Sequence, residues 1–170
     1  VRTIRKQVIK QALDMLDEVA EKQPEEYASL WKSYGAVLKD GLHFDPEHKD
    51  RLAKLVRYES SKVEGLTSLA EYVKRMPEGQ KAIYYIYGPN KRTVASSPHL
   101  ESLKARGYEV LYMTDPVDEW AAEGLREFGG KPLVSVMRAN LDLPATDEEK
   151  KSAEEQKKAL EPFHEHVKKV

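Results

Sequence analysis

The residues in this chain whose types and spacing could do chemistry are the segments "YGPNKRT" at 87–93 and "TDP" at 114–116, and five histidines. Both segments follow short apolar runs, and ligands in open α/β sheets sit beyond the carboxyl ends of strands. A small α/β enzyme domain with its site around Gly88 and Asp115 is therefore one reading. "YGPNKRT" contains neither GxxxxGK[ST] nor GxGxxG, so it supplies no glycine-rich phosphate cradle. Lys91 and Arg92 could meet an anion, but basic residues in a loop need no function. Asp115 has the type of a catalytic carboxylate. Pro116 and Asp118 behind it fit the first and third positions of a helix, which makes Asp115 the expected N-cap instead. His164 and His166 are two positions apart and would point about 200° apart on a helix, so they cannot share a metal. No acidic residue joins the histidines at ligand spacing, and no serine lies in GxSxG. The chain has no cysteine, which excludes disulfides and thiol chemistry. Self-contained catalysis and a bound cofactor or metal are not expected.

Binding is the other possibility. Charged residues make up 34% of the chain and hydrophobic ones 40%, as in a globular protein with a heavily solvated surface. A net charge of −1 gives no bulk attraction to nucleic acid or acidic membranes, and no apolar run approaches the roughly 20 residues of a bilayer span. Tyr84, Tyr85 and Tyr87 could stack on bases, yet they alternate between strand faces without interleaved basic residues, so they read as sheet core. Trp120 is different. In "PVDEWAAEGLREF", Val117, Ala121, Gly124, Leu125 and Phe128 define one helical face, and Trp120 lies about 60° from Val117 at the edge of that face, with Glu123 and Glu127 beyond it and Glu119 further round. The ring either seals the helix edge against the core or is an apolar contact for a partner, bordered by carboxylates that favour basic chains.

The elements that must position these residues follow from periodicity. "VRTIRKQVIKQALDMLDEVAEK" puts Ile4, Val8, Ile9, Ala12, Leu13, Met15, Leu16, Val19 and Ala20 over half a helical wheel, which predicts a helix packed on two sides. A second helix is expected from about Glu25 to Asp40, with Trp31 in its apolar stripe and Gly41 as its stop. Asp45 as N-cap with Pro46 behind it predicts a third helix, "ESSKVEGL" reads as polar turn, and Ser68 with Glu71 forms a capping box for a short helix that ends at Pro77. From Lys81 the pattern alternates: "KAIYYIYG", "YEVLYMTD" and "KPLVSVM" read as buried strands, with a helix from Ser97 to Gly107 and another over 116–128 between them. That order defines an α/β fold: a helical connector over 1–66, then a small three-layer α/β/α subdomain over 67–139 with a short parallel sheet. Residues 140–170 read as a linker and a charged terminal helix. The chain opens without Met inside one helical pattern and stops inside another, so a segment of a longer protein is expected.

"LAKLVRYESSK", "GLTSLAEYVKRMPEGQKAIYYIYG", "SSPHLESLKARGYEVLYMTDPVDEW" and "FGGKPLVSV" resemble the ninety-kilodalton heat-shock chaperone family in its bacterial, HtpG-type form. The resemblance covers nearly the whole chain. It implies a parent that is an ATP-dependent, cytoplasmic homodimer using ATP and Mg, with slow ATPase activity. This chain would be the rear of its middle domain and the first helix of its C-terminal domain. The nucleotide site and the middle-domain loop that reaches ATP would lie outside it. The resemblance further implies a surface for partly folded client proteins at Trp120, Glu119 and Glu123. It also implies a contact for the seventy-kilodalton chaperone on the first helix, at Lys10 and Asp14. Gln11 replaces a base common in eukaryotic members, and "YGPNKRT" departs from the family's usual acidic turn. A purely structural connector, with Trp120 sealing the core, is the remaining alternative.

Overall fold

The protein is described here from a computed structural model, which covers residues 2–137. Two long helices, α1 (Arg2–Lys22) and α2 (Pro24–Phe44), are joined through Gln23 alone. Pro24 opens α2, where its missing N–H leaves nothing unsatisfied. α2 runs past Gly41 rather than ending there. That glycine serves packing: a Cβ on it would lie 2.7 Å from Leu52 Cδ1, so Leu52 of α3 (Lys49–Leu55) can approach the helix only because none is present. The expected cap at Asp45 is not formed either. Residues 46–48 are a turn, His48 precedes α3, and the Asp45 carboxylate pairs with His48 Nδ1 at 2.9 Å instead.

Two short strands flank the polar segment expected as turn: β1 (Arg57–Ser60), whose last two residues fall within it, and β2 (Thr67–Ser68), which follows it. α4 (Leu69–Arg75) begins with the predicted capping box, in which Ser68 Oγ accepts from Glu71 N at 3.2 Å and Glu71 Oε2 from Ser68 N at 3.0 Å. The three predicted strands are β3 (Ile83–Tyr87), β4 (Val110–Met113) and β6 (Lys131–Ser135), with a two-residue β5 (Glu127–Phe128) before β6. "KRTVA", read as loop, is a short helix α5 (Lys91–Ala95) whose Thr93 N–H donates to Asn90 Oδ1 at 2.9 Å. The helix expected from Ser97 splits into a 3₁₀ turn (Pro98–Leu100) and α6 (Glu101–Ala105), and Gly107 follows it at φ +68°.

The sheet has the order β2-β1-β4-β3-β6-β5. Its centre, β4-β3-β6, is parallel as predicted, while β1, β2 and β5 add antiparallel pairs at the edges. All four residues of β4 and the first four of β3 are buried, so both faces of the centre are covered. One face packs Ile83, Tyr85, Leu111 and Met113 into a common core with Trp31, Leu42, Leu55 and Leu125. On α1, Leu13 is buried, and Ile9, Leu16, Val19 and Ala20 pack partly against that core. Ile4, Val8 and Met15 are exposed, so among the described residues α1 packs on one side and not two.

Candidate functional site

Trp120 lies on α7 (Asp118–Leu125), and what places α7 is a buried charge cluster. Lys39, in the last third of α2, is 3% exposed, and Asp118 is 0% exposed. The Lys39 ammonium stands 2.7 Å from Asp118 Oδ1 and 2.6 Å from Asp115 Oδ2. It also lies 4.8 Å from the centroid of the Tyr58 ring and 5.8 Å from that of Trp31, whose π faces favour a cation. Asp118 Oδ2 accepts from Asp115 N–H at 2.9 Å, and Asp115 O accepts from Asp118 N–H at 3.0 Å. Asp115 is thus not the side-chain cap of α7. Its carboxylate turns to Lys39, Val117 occupies the N-cap, and the first-turn Asp118 reaches back to the Asp115 amide. Burial pushes the Asp118 carboxyl above the ordinary aspartate range, and the charge and hydrogen bonding of Lys39 pull it back.

At the other end of α7 the backbones themselves touch. A Cβ on Gly124 would lie 2.4 Å from Leu42 O and 2.8 Å from His43 Cα, so the close approach of α7 to α2 requires glycine there. Between these two fixed points Trp120 is 54% exposed. Its ring meets the edge of His43 at a centroid distance of 5.7 Å and 69°, and His43 meets Phe44 at 4.8 Å and 82°. Phe44 is 73% exposed. The result is a continuous aromatic strip from α7 onto the end of α2. Glu119 and Glu123 are exposed on α7 beside Trp120, so the structure brings these three predicted residues onto one surface. Sequence reasoning missed His43 and Phe44. The available signal was that Phe44 falls about 120° off the centre of the α2 stripe set by Tyr27 and Trp31, outside its apolar face.

The other predicted pair, Lys10 and Asp14, lies one turn apart on the exposed side of α1, on a different element from Trp120. Asp14 Oδ1 accepts from Arg51 Nη2 at 2.8 Å, which ties α1 to α3. At the carboxyl ends of the parallel strands there is a cleft of about 540 Å³, lined among others by Tyr87, Gly88, Met113, Asp115 and Glu119. Asp115, the residue an enzyme would need there, is held by Lys39. Among the described residues no group of His, Asp or Glu is arranged to hold a metal ion, and no helix is long and apolar enough to cross a membrane.

The mixed sheet behind a two-helix connector, with an exposed aromatic strip on the helix layer, defines an α/β segment with a contact surface rather than a catalytic centre as its candidate site. It is similar, with a TM-score of 0.77 and 33% identity, to the middle domain of a Plasmodium falciparum putative heat shock protein, over 81% of this chain and 58% of that one. The family model described as Hsp90 protein matches residues 1–170, and the chain belongs to the Hsp90 family. It is 58% identical over 170 residues to the chaperone protein HtpG of Myxococcus xanthus and 46% identical over 156 residues to that of Geobacter sulfurreducens. These alignments cover 100% and 91% of this chain but 26% and 24% of those proteins, so the chain spans about a quarter of the relatives it matches.

Proposed function

We propose that this middle-domain segment holds partly folded client chains for an ATP-driven, homodimeric cytoplasmic chaperone, with Trp120 as the central contact. The observation that carries this reading is the half-exposed Trp120 ring, held edge-on to His43 and flanked by Glu119 and Glu123. A large rigid ring supplies apolar contact area at low entropic cost, and the carboxylates favour the basic residues of unfolded chains. ATP and Mg are bound by other parts of the parent, which is a slow ATPase. Lys10 and Asp14 on α1 contribute to a contact with the seventy-kilodalton chaperone.

Binding of a labelled, permanently unfolded polypeptide to the chain and to Trp120→Ala, with thermal melts of both, tests this. Because the ring is half in solvent, its removal should cost only about 1 kcal/mol of stability, well below the 3–5 kcal/mol of a buried Trp. Binding should weaken at least about tenfold, as at an interface hot spot. Unchanged binding together with a loss of several kcal/mol would instead make Trp120 a core-edge residue.

A further inference from the structure

We infer that the client surface does not stop at Trp120 but continues over His43 and Phe44 into the groove between α1 and the α2–α3 turn, where Arg5 receives a carboxylate of the bound chain. This rests on the client reading of Trp120. Phe44 is the most exposed large apolar residue of the described chain at 73%, yet it is not isolated, because its ring contacts His43 and His43 contacts Trp120. Rings joined in this way form a contiguous apolar surface spanning two helices, of the kind that marks protein contact sites rather than scattered surface apolar residues.

Phe44 also lines a groove of about 610 Å³ whose other walls include Arg5, Lys6, Ile9, Glu47 and His48. The charges in this groove are not equivalent. Lys6 is paired with Glu47 at 3.0 Å, and His48 with Asp45 at 2.9 Å. Arg5 has no ion-pair partner among the described residues, so it is the cation left over. The two ends of the strip therefore differ in sign: carboxylates of Glu119 and Glu123 beside Trp120, and the Arg5 guanidinium beyond Phe44. The occupant that fits is an extended polypeptide with apolar side chains over the rings, basic residues toward α7 and an acidic residue toward α1. A guanidinium recognises a carboxylate by two parallel hydrogen bonds, which gives the strip a direction as well as an affinity.

The test uses Phe44→Ala, Arg5→Gln and Trp120→Ala in the 170-residue chain. The probe is a fluorescein-labelled, permanently unfolded polypeptide, used as such and after amidation of its carboxyl groups. Phe44→Ala should weaken binding of the untreated probe about tenfold, the scale of burying one aromatic ring, with the melting temperature unchanged because the ring is exposed. Amidation should change the affinity of the parent chain and of Arg5→Gln by different factors, at least about fivefold apart, because only the parent can lose a carboxylate contact at Arg5. Unchanged binding by Phe44→Ala while Trp120→Ala loses it would confine the client surface to α7 and overturn the inference. Equal amidation effects in parent and Arg5→Gln would remove Arg5 from it. If Trp120→Ala binds like the parent, the underlying client reading has failed, and that is a different result from either of these.

Discussion

Replacing Lys39 by Met removes the buried cation that pairs with both Asp118 and Asp115. Met keeps the volume of the stem, so the perturbation is electrostatic. Asp118 has no access to water and would be left with a single hydrogen bond, from the Asp115 amide. Breaking a buried pair by deleting one partner costs about 3–5 kcal/mol. The cation–π contact with Tyr58, at 4.8 Å, adds to the loss, whereas Asp115 is half in solvent and adds little. For a domain of this size the total corresponds to a fall in melting temperature of about 6–20 °C. The penalty should also depend on pH. The Asp118 carboxyl is raised by burial and Lys39 opposes that rise, so removing Lys39 raises it further. With a folded pKa above the unfolded one, the native state binds the proton more readily, and stability falls as pH rises from 3.8 through the folded value. The variant should therefore be weakest near neutral pH and approach the parent at acid pH, once the pH has fallen below the raised folded value and Asp118 is neutral. Lys39→Met with Asp118→Leu should recover most of the loss, because two apolar residues leave no uncompensated charge. Urea melts followed by circular dichroism at several pH values measure all of this. A Lys39→Met variant within 1 kcal/mol of the parent at pH ~7, or one equally destabilised at acid pH, would refute the reasoning.

Gly124→Ala sets two effects against each other. Alanine favours a helix by about 1 kcal/mol over glycine, but its Cβ would meet the Leu42 carbonyl at 2.4 Å, a backbone atom that cannot swing away. Overpacking costs about 1–3 kcal/mol, so a net destabilisation of up to about 2 kcal/mol is expected in chemical denaturation, and a stabilised variant would show that α7 moves freely on α2. Ser68→Ala removes the hydroxyl half of the capping box, leaving the Ser68 N–H bond to Glu71, and should cost about 1 kcal/mol at neutral pH. The Glu71 carboxyl is held below the usual range, first by the Ser68 N–H, so its contribution is present above pH 4.5 and is lost as pH falls through its folded value. Acid-induced melts of Ser68→Ala that retain the parent's dependence on Glu71 would place that stabilisation in the backbone bond, as the order of causes indicates.

β3 and β4 were readable because both their faces are buried, which leaves the uninterrupted apolar runs "IYYIY" and "VLYM", whereas the partly buried β6 was legible only from the short apolar run in "KPLVSVM". β1 was not, because "RYES" is an edge-side strand with polar alternate positions, and it exists only because Glu59 and Ser60 pair with Tyr112 and Leu111 far along the chain. The caps divide in the same way. Ser68 and Glu71 satisfy each other within one turn, so local sequence suffices. Asp115 obeys the same local rule but is claimed by Lys39, 76 positions away, and no spacing rule sees that contact. Trp31 as core was legible from the α2 stripe, and Trp120 at the rim of α7 was legible from its wheel position. His43 and Phe44 became part of the site only through the α2–α7 contact that Gly124 permits. Residues 140–170, expected as linker and helix, lie outside the described chain.

The two tryptophans occupy opposite environments, Trp31 at 8% exposure beneath the Lys39 ammonium and Trp120 at 54% beside His43. As the chain has only these two, it carries separate optical channels for two different events. Emission from Trp31 will shift to the red when the core opens and will be little affected by a soluble quencher beforehand. Emission from Trp120 will be quenched in the folded protein and shielded when a chain lies across it. A single phenylalanine replacement at either position isolates one channel, so folding and occupancy can be followed independently in the same cuvette without an attached dye.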